Sequence, residues 1–188
     1  MLATGALTHD ALPILTRMLR AAFFALVGVA FFTHWVVTDP SFEGPINTEW
    51  THVLAFSALL LTLAVTLPVY GWMVGGRWVF RLSLVAGAGA ALGSVANIFE
   101  DGFAIGWVFF VFILGTAIVN LALLGMTVVI ARTQRGVYRL LALIPAGTVA
   151  AIIFNVLAGG IIMLVTWLIA AALALRTRAA VGAAPATT

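Results

Sequence analysis

The 188-residue chain contains no cysteine. Disulfides, thiolate metal centres, a catalytic thiol and dithiol redox chemistry are therefore excluded. It also contains no lysine, because all nine basic residues are arginine. A Schiff base, with retinal or any other aldehyde, is impossible. Charge of either sign is scarce: 8% of the residues are charged and 64% are hydrophobic. A soluble domain carries about 25% charged residues and about half apolar ones. A small water-soluble fold leaves too much area exposed to hide so much apolar side chain, and a lipid bilayer removes that difficulty. The net charge of +3 comes from arginines in four separated segments, which argues against nucleic acid as a partner. Ala, Leu, Val and Gly dominate the composition and every basic residue is arginine, an association with high-GC bacteria.

What is present is long apolar runs. A bilayer core needs about 20 apolar residues per helix, and six segments meet or approach that length: 21–37, 51–74, 78–99, 105–131, 138–155 and 159–175. The last two form one apolar stretch too long for a single span, with Ala158, Gly159 and Gly160 expected to make a tight reversal. The expected fold is an all-α membrane bundle of six transmembrane helices over 21–175. Residues 1–20 form an interfacial lead-in that starts a helix at Asp10 and Pro13, and 176–188 form a disordered cytoplasmic tail.

Arginine placement supports six spans. Arg17, Arg20, Arg77, Arg81, Arg132, Arg135, Arg139, Arg176 and Arg178 then fall on one side, which the positive-inside rule makes cytoplasmic. Both termini are expected there, in the plasma membrane of a bacterium. Asp39, Glu43, Glu49, Glu100 and Asp101 all fall on the opposite side. No secretory signal pattern begins the chain, and no internal repeat suggests an inverted-repeat transporter.

The chemistry-bearing residues gather at that opposite end. The first outer loop carries Asp39 and Glu43, is flanked by His34 and His52, and runs into Glu49. The second carries Glu100 and Asp101, with Asn97 one turn earlier, and the third carries Asn155. On the third helix Ser83, Gly87, Ala90, Ser94, Asn97 and Asp101 share a face, which is either a close packing seam or the wall of a cavity ending at the acids. Asn120 stands near mid-membrane, where a polar group needs a partner. Pro68 and Pro145 lie inside helices, and each frees a carbonyl. Trp35, Trp50 and Trp107 fit an interfacial belt. The surplus of phenylalanine beside them suits the stabilisation of a cation.

Three functions follow. The first is an intramembrane enzyme in which Glu100 or Asp101, with Asp39, Glu43 and Glu49 as alternatives, donates a proton to a lipophilic isoprenoid. Adjacent carboxylates do not readily ionise together, which leaves a transferable proton. Trp35, Phe99, Phe103, Trp107 and Phe110 are the expected walls around the resulting carbocation. Asn97, Asn120 and Asn155 are further substrate contacts, with Asn97 orienting an acid or a water. The isoprenoid chain is expected to thread from the cytoplasmic surface, so that its far end meets the acids. The second function is a transporter, substrate-capture subunit or channel, although no pore ring or filter is visible. The third is a metal site at His34 and His52, neither of which has an i, i+4 partner histidine. No cofactor is expected; the partners are the bilayer and the substrate.

The combination of small size, six helices, acids at the membrane edge and many aromatics resembles the small integral-membrane class II terpene cyclases. That resemblance implies acid-initiated cyclisation or isomerisation. It assigns no individual residue, since the DxDD motif of the soluble class II cyclases is absent. The segment 97–102, Asn-Ile-Phe-Glu-Asp-Gly, is also similar to six-span bacterial membrane families of uncharacterised function.

Overall fold

A computed structural model describes residues 11–38, 49–154 and 158–176. Among them every regular element is helical: α1 (Ala11–Val37), α2 (Glu49–Val74), α3 (Arg77–Asn97), α4 (Phe109–Thr133), α5 (Leu143–Ile153) and α6 (Gly160–Arg176). A π-helical turn, Ile98–Gly102, extends α3, and short 3-10 segments, Gly106–Val108 and Gly136–Ala142, lead into α4 and α5. Five stretches are long and apolar enough to cross a membrane, and Gly160–Arg176 is a shorter apolar helix. The fifth stretch, Gly136–Ile153, reaches about 31 Å because its seven 3-10 residues rise faster than α-helical ones. Residues 11–37 form one continuous helix.

The six helices form a closed ring in chain order, each touching the next and α6 returning to α1. The seams differ. The α1/α6, α2/α3 and α3/α4 seams are extensive, whereas α1/α2 is sparse. Missing side chains let the close seams form. A Cβ on Gly89 would meet the Gly115 carbonyl oxygen at 2.9 Å, and one on Gly160 would meet the Trp35 Cβ at 2.4 Å. Gly160 thus serves helix contact rather than only the reversal expected of it; Ala158 N–H closes that turn onto the Phe154 carbonyl at 3.0 Å. Gly75 and Gly76, at φ 78° and 90°, make the tight α2–α3 turn in a conformation other residues rarely adopt.

The two prolines have a common consequence. Pro68 has no N–H for the Ala64 carbonyl four residues earlier, and Gly87 of α3 comes so close to that oxygen that a Cβ would lie 2.6 Å from it. Pro145 likewise cannot serve the Leu141 carbonyl, which instead accepts a short hydrogen bond from the Tyr70 hydroxyl. Pro145 therefore sits near the 3-10 to α transition rather than at a mid-helix kink. In each case a tertiary partner meets the group that proline released.

All described arginines lie at or near one end of the ring, where Arg20 stacks on Trp72 and Arg81 on Trp78. Glu100 and Asp101 lie at the other. The outward surface is apolar, with Leu26, Val65 and Leu121 all well exposed, as a bilayer-facing surface requires.

Candidate functional site: a cavity in the acid-bearing half of the ring

The arginine-bearing half of the ring is filled. Phe24, Tyr70 and Trp167 are fully buried, and their rings meet at centroid distances of 5.5 to 6.2 Å. Leu67, Leu123, Met126 and Ile144 pack beside them with almost no exposure. This plug fills the axis of the ring in its arginine-bearing half.

The acid-bearing half is hollow. A cavity of about 680 Å³ lies inside the ring, and every helix contributes to it. Its floor is Leu63, Ala90, Val119 and Met163, directly above the plug. Its walls are Phe31 and Trp35 of α1, Phe56 and Leu60 of α2, Gly93 of α3, Phe112 and Thr116 of α4, and Ile152 of α5. Its rim carries Thr38, His34, His52, Asn97, Glu100, Asp101 and Phe109. A volume of this size is typical of small-molecule sites. At about 30 Å³ per non-hydrogen atom, it holds a ligand of roughly 20 such atoms. The depth from His52 to Leu63 is about 16 Å at the helical rise.

The π-helical turn places the acids. Glu100 and Asp101 follow α3 without a break, and both line the cavity beside Asn97. A loop was expected here; the structure has a π turn, a form frequent at functional sites. Glu100 is partly shielded, whereas Asp101 is exposed. Phe99 and Phe103, on the other side of the turn, face away. Phe103 stacks on Trp50 at 5.4 Å and on Phe99 at 5.7 Å. Phe99 and Trp107 line a separate shallow groove between α3 and α4, and Phe110 is 74% exposed. Of the five aromatics expected around a cation, only Trp35 faces the cavity. Phe31, Phe56 and Phe112 take the place of the others. Their signal was helical spacing from a polar residue: Phe31, His34, Trp35 and Thr38 share a face of α1, and His52, Phe56, Leu60 and Leu63 share one of α2.

The small-residue face of α3 divides between packing and cavity. Gly87 packs on α2, and Ser94 donates to the Ser57 carbonyl at 2.8 Å. Ala90, Gly93 and Asn97 line the cavity. Asn97 Nδ2 donates to the Val53 carbonyl at 3.3 Å and to Ser57 Oγ at 3.1 Å, so α2 fixes its amide at the rim. Asn120 lies outside the cavity lining and donates to Thr116 on its own helix at 2.9 Å.

His34 and His52 approach to 5.2 Å between ring centroids across the sparse α1/α2 seam, and His34 lies 5.7 Å from Phe56. His34 Nε2 is buried without a hydrogen-bond partner. Among the described residues no group of three His, Cys, Asp or Glu side chains could hold a metal. Asp39, Glu43 and Asn155, and the side chain of Glu49, lie outside the described residues. No family model matches the chain, and it matches neither a curated protein nor a solved structure.

Proposed function

We propose that this chain is an integral-membrane enzyme that performs acid-initiated cyclisation or isomerisation of an isoprenoid-type lipophile inside the ring. One observation carries the reading: Glu100 and Asp101 share a cavity with aromatic walls and an apolar floor. An apolar tail belongs at the floor, because any polar group there would lose its water. The oxygen-bearing end of the substrate then meets the acids. A terminal epoxide or allylic alcohol suits that placement. Protonation breaks the C–O bond, and the cation forms between Phe31, Trp35, Phe56 and Phe112, whose ring faces stabilise it. Glu100, the better shielded acid, is the donor. The similarity in size, helix number and edge acids to small membrane terpene cyclases agrees with this reading.

The membrane arrangement completes the proposal. Six spans place every arginine in the cytoplasm of a bacterium and the cavity mouth outside. Reporter fusions after Gly76 and Gln134 are expected to read cytoplasm, and a fusion at Gly44 the exterior. A Gly44 fusion reading cytoplasm overturns the orientation.

The cavity is tested by filling it. A Cβ on Gly93 would meet only Leu60 and Phe112, at 3.8 and 3.9 Å, so a larger side chain projects into open space. Gly93→Phe is expected to leave the melting temperature in detergent nearly unchanged while lowering turnover of the terminal epoxide of farnesene at least tenfold. Full turnover by a folded Gly93→Phe protein removes the cavity from the reaction.

A second reading, substrate capture for a transporter, has its own observation. The cavity lies beside the acids, and the Phe24–Tyr70–Trp167 plug fills the ring beyond its floor, as in a carrier facing one side. It predicts saturable binding of the same lipophile and no product.

A further inference from the structure

The cyclisation and isomerisation chemistry proposed above is neutral overall: the proton given to the substrate must be recovered at its end. An acid accounts for the first step alone. The cation moves away from Glu100 as the ring closes, so a second group must accept the final proton. Among the described residues the cavity offers, besides Glu100 and Asp101, one other set of proton-binding side chains, and it is basic.

The geometry points to His34 and His52 as the paired proton acceptor of this cavity, with His52 receiving the proton and His34 supporting it from behind. Both line the cavity, on helices that barely touch elsewhere. His52 is the exposed member and His34 the partly buried one, 5.2 Å away between centroids. A buried polar atom without a partner calls for an explanation, and His34 Nε2 is one. A neighbouring imidazole provides it, because one ring rotation or one bridging water lets the two rings share a proton. Sharing matters in this setting. An imidazolium at His34, partly buried beside Phe56, is poorly solvated, and the exposed imidazole of His52 spreads its charge toward the rim. Among the described residues the other ionisable groups lining the cavity with the pair are Glu100 and Asp101 at the rim, and no arginine stands at this end.

The proposal rests on the enzyme reading, and its step balances. The Glu100 carboxyl protonates the epoxide oxygen, the C–O bond breaks, and the oxygen stays on the substrate as a hydroxyl. An alkene pair closes the ring and moves the positive charge. A C–H bond next to the final cation then breaks; its electron pair becomes the new double bond and its proton goes to His52. The imidazolium returns that proton to the Glu100 carboxylate. Nothing is oxidised or reduced.

The test uses the full chain in detergent, with His9→Gln to remove the third histidine signal, and farnesene terminal epoxide as probe. His52→Gln is expected to keep consuming epoxide while the native alkene product falls about 10²-fold, the loss typical of a missing general base. Water-quenched diol replaces it. His34→Gln is expected to shift products in the same direction. Nitrogen NMR supplies the readout that a merely structural role would not move. The imidazole nitrogen signals of each ring are expected to shift when the other histidine is changed to Gln. Wild-type products from both variants, or nitrogen signals of each ring that are unchanged by loss of the other, overturn the pair and leave the enzyme reading standing. Loss of consumption in His52→Gln, with the melting temperature retained, also overturns it, because the histidine then acts at the first step. A wild-type protein that transforms no epoxide overturns the enzyme reading itself.

Discussion

Glu100→Gln is expected to lower turnover of farnesene terminal epoxide by about 10²–10⁴-fold, the usual contribution of a positioned general acid. Glutamine keeps the length and the hydrogen-bonding shape of the side chain and loses the transferable proton. The variant should fold, because Glu100 is not part of the buried core and carries no close packing. Asp101→Asn is expected to have a smaller effect, under tenfold, since Asp101 is exposed at the rim and water can stand in for it. The measurement is single-turnover consumption of epoxide by protein of matched melting temperature. Equal activity of wild type and Glu100→Gln moves the donor role elsewhere. The reverse ranking, with Asp101→Asn inactive, assigns it to Asp101. Under the capture reading, both variants change binding and neither changes chemistry, because no product forms.

Trp167→Ala is expected to be the most destabilising single change in the molecule, by about 3 kcal/mol. The indole is fully buried between Phe24 and Tyr70 and fills the plug beneath the cavity floor. Lipid tails are as apolar as the ring, so the loss is mainly of packing contacts around the void. That places it at the low end of aromatic truncations. Trp167→Phe should cost much less, since Nε1 has no hydrogen-bond partner to lose. Thermal unfolding in detergent measures both. A shift for Trp167→Ala as small as that for Trp167→Phe would show that the arginine-bearing half repacks freely. The same variant also distinguishes the two functions. Opening the plug joins the cavity to the far side, which under the capture reading produces a leak of lipophile across vesicles. Under the enzyme reading it costs stability and rate alone.

The plug lies beyond what amino-acid order conveys. Periodicity shows that Phe24, Tyr70 and Trp167 are apolar and helical, yet it does not show that the three meet on one axis. Only the closed ring of six helices brings them together, and it leaves the cavity in the half that carries the acids.

The walls tell a similar story. Phe99, Phe103, Trp107 and Phe110 are as aromatic as Phe31, Phe56 and Phe112, and they belong to the same half of the ring. Composition and depth are readable from one-dimensional order, because a helix rises a fixed distance per residue. Which side of the helix faces the ring depends on its neighbours. The α3 face is the one that Gly87, Gly89 and Gly115 press against α2 and α4, so Phe99 is turned outward and Asn97 inward.

What the amino-acid order by itself determined was the class of molecule, the apolar segments and the separation of arginines from carboxylates. These follow from transfer free energy and charge, which each residue carries wherever it stands. It also marked Asn97, Glu100 and Asp101, since residues three and four apart share a helical face. The tertiary structure alone decided that the acid half is hollow and the arginine half full. It alone decided that His34 and His52 meet, and that proline-released carbonyls find Tyr70 and Gly87. The physical reason is that packing is a property of pairs of surfaces. Whether two helix faces leave a void or fill it depends on side chains far apart in the chain, brought together by close approach at a few glycines.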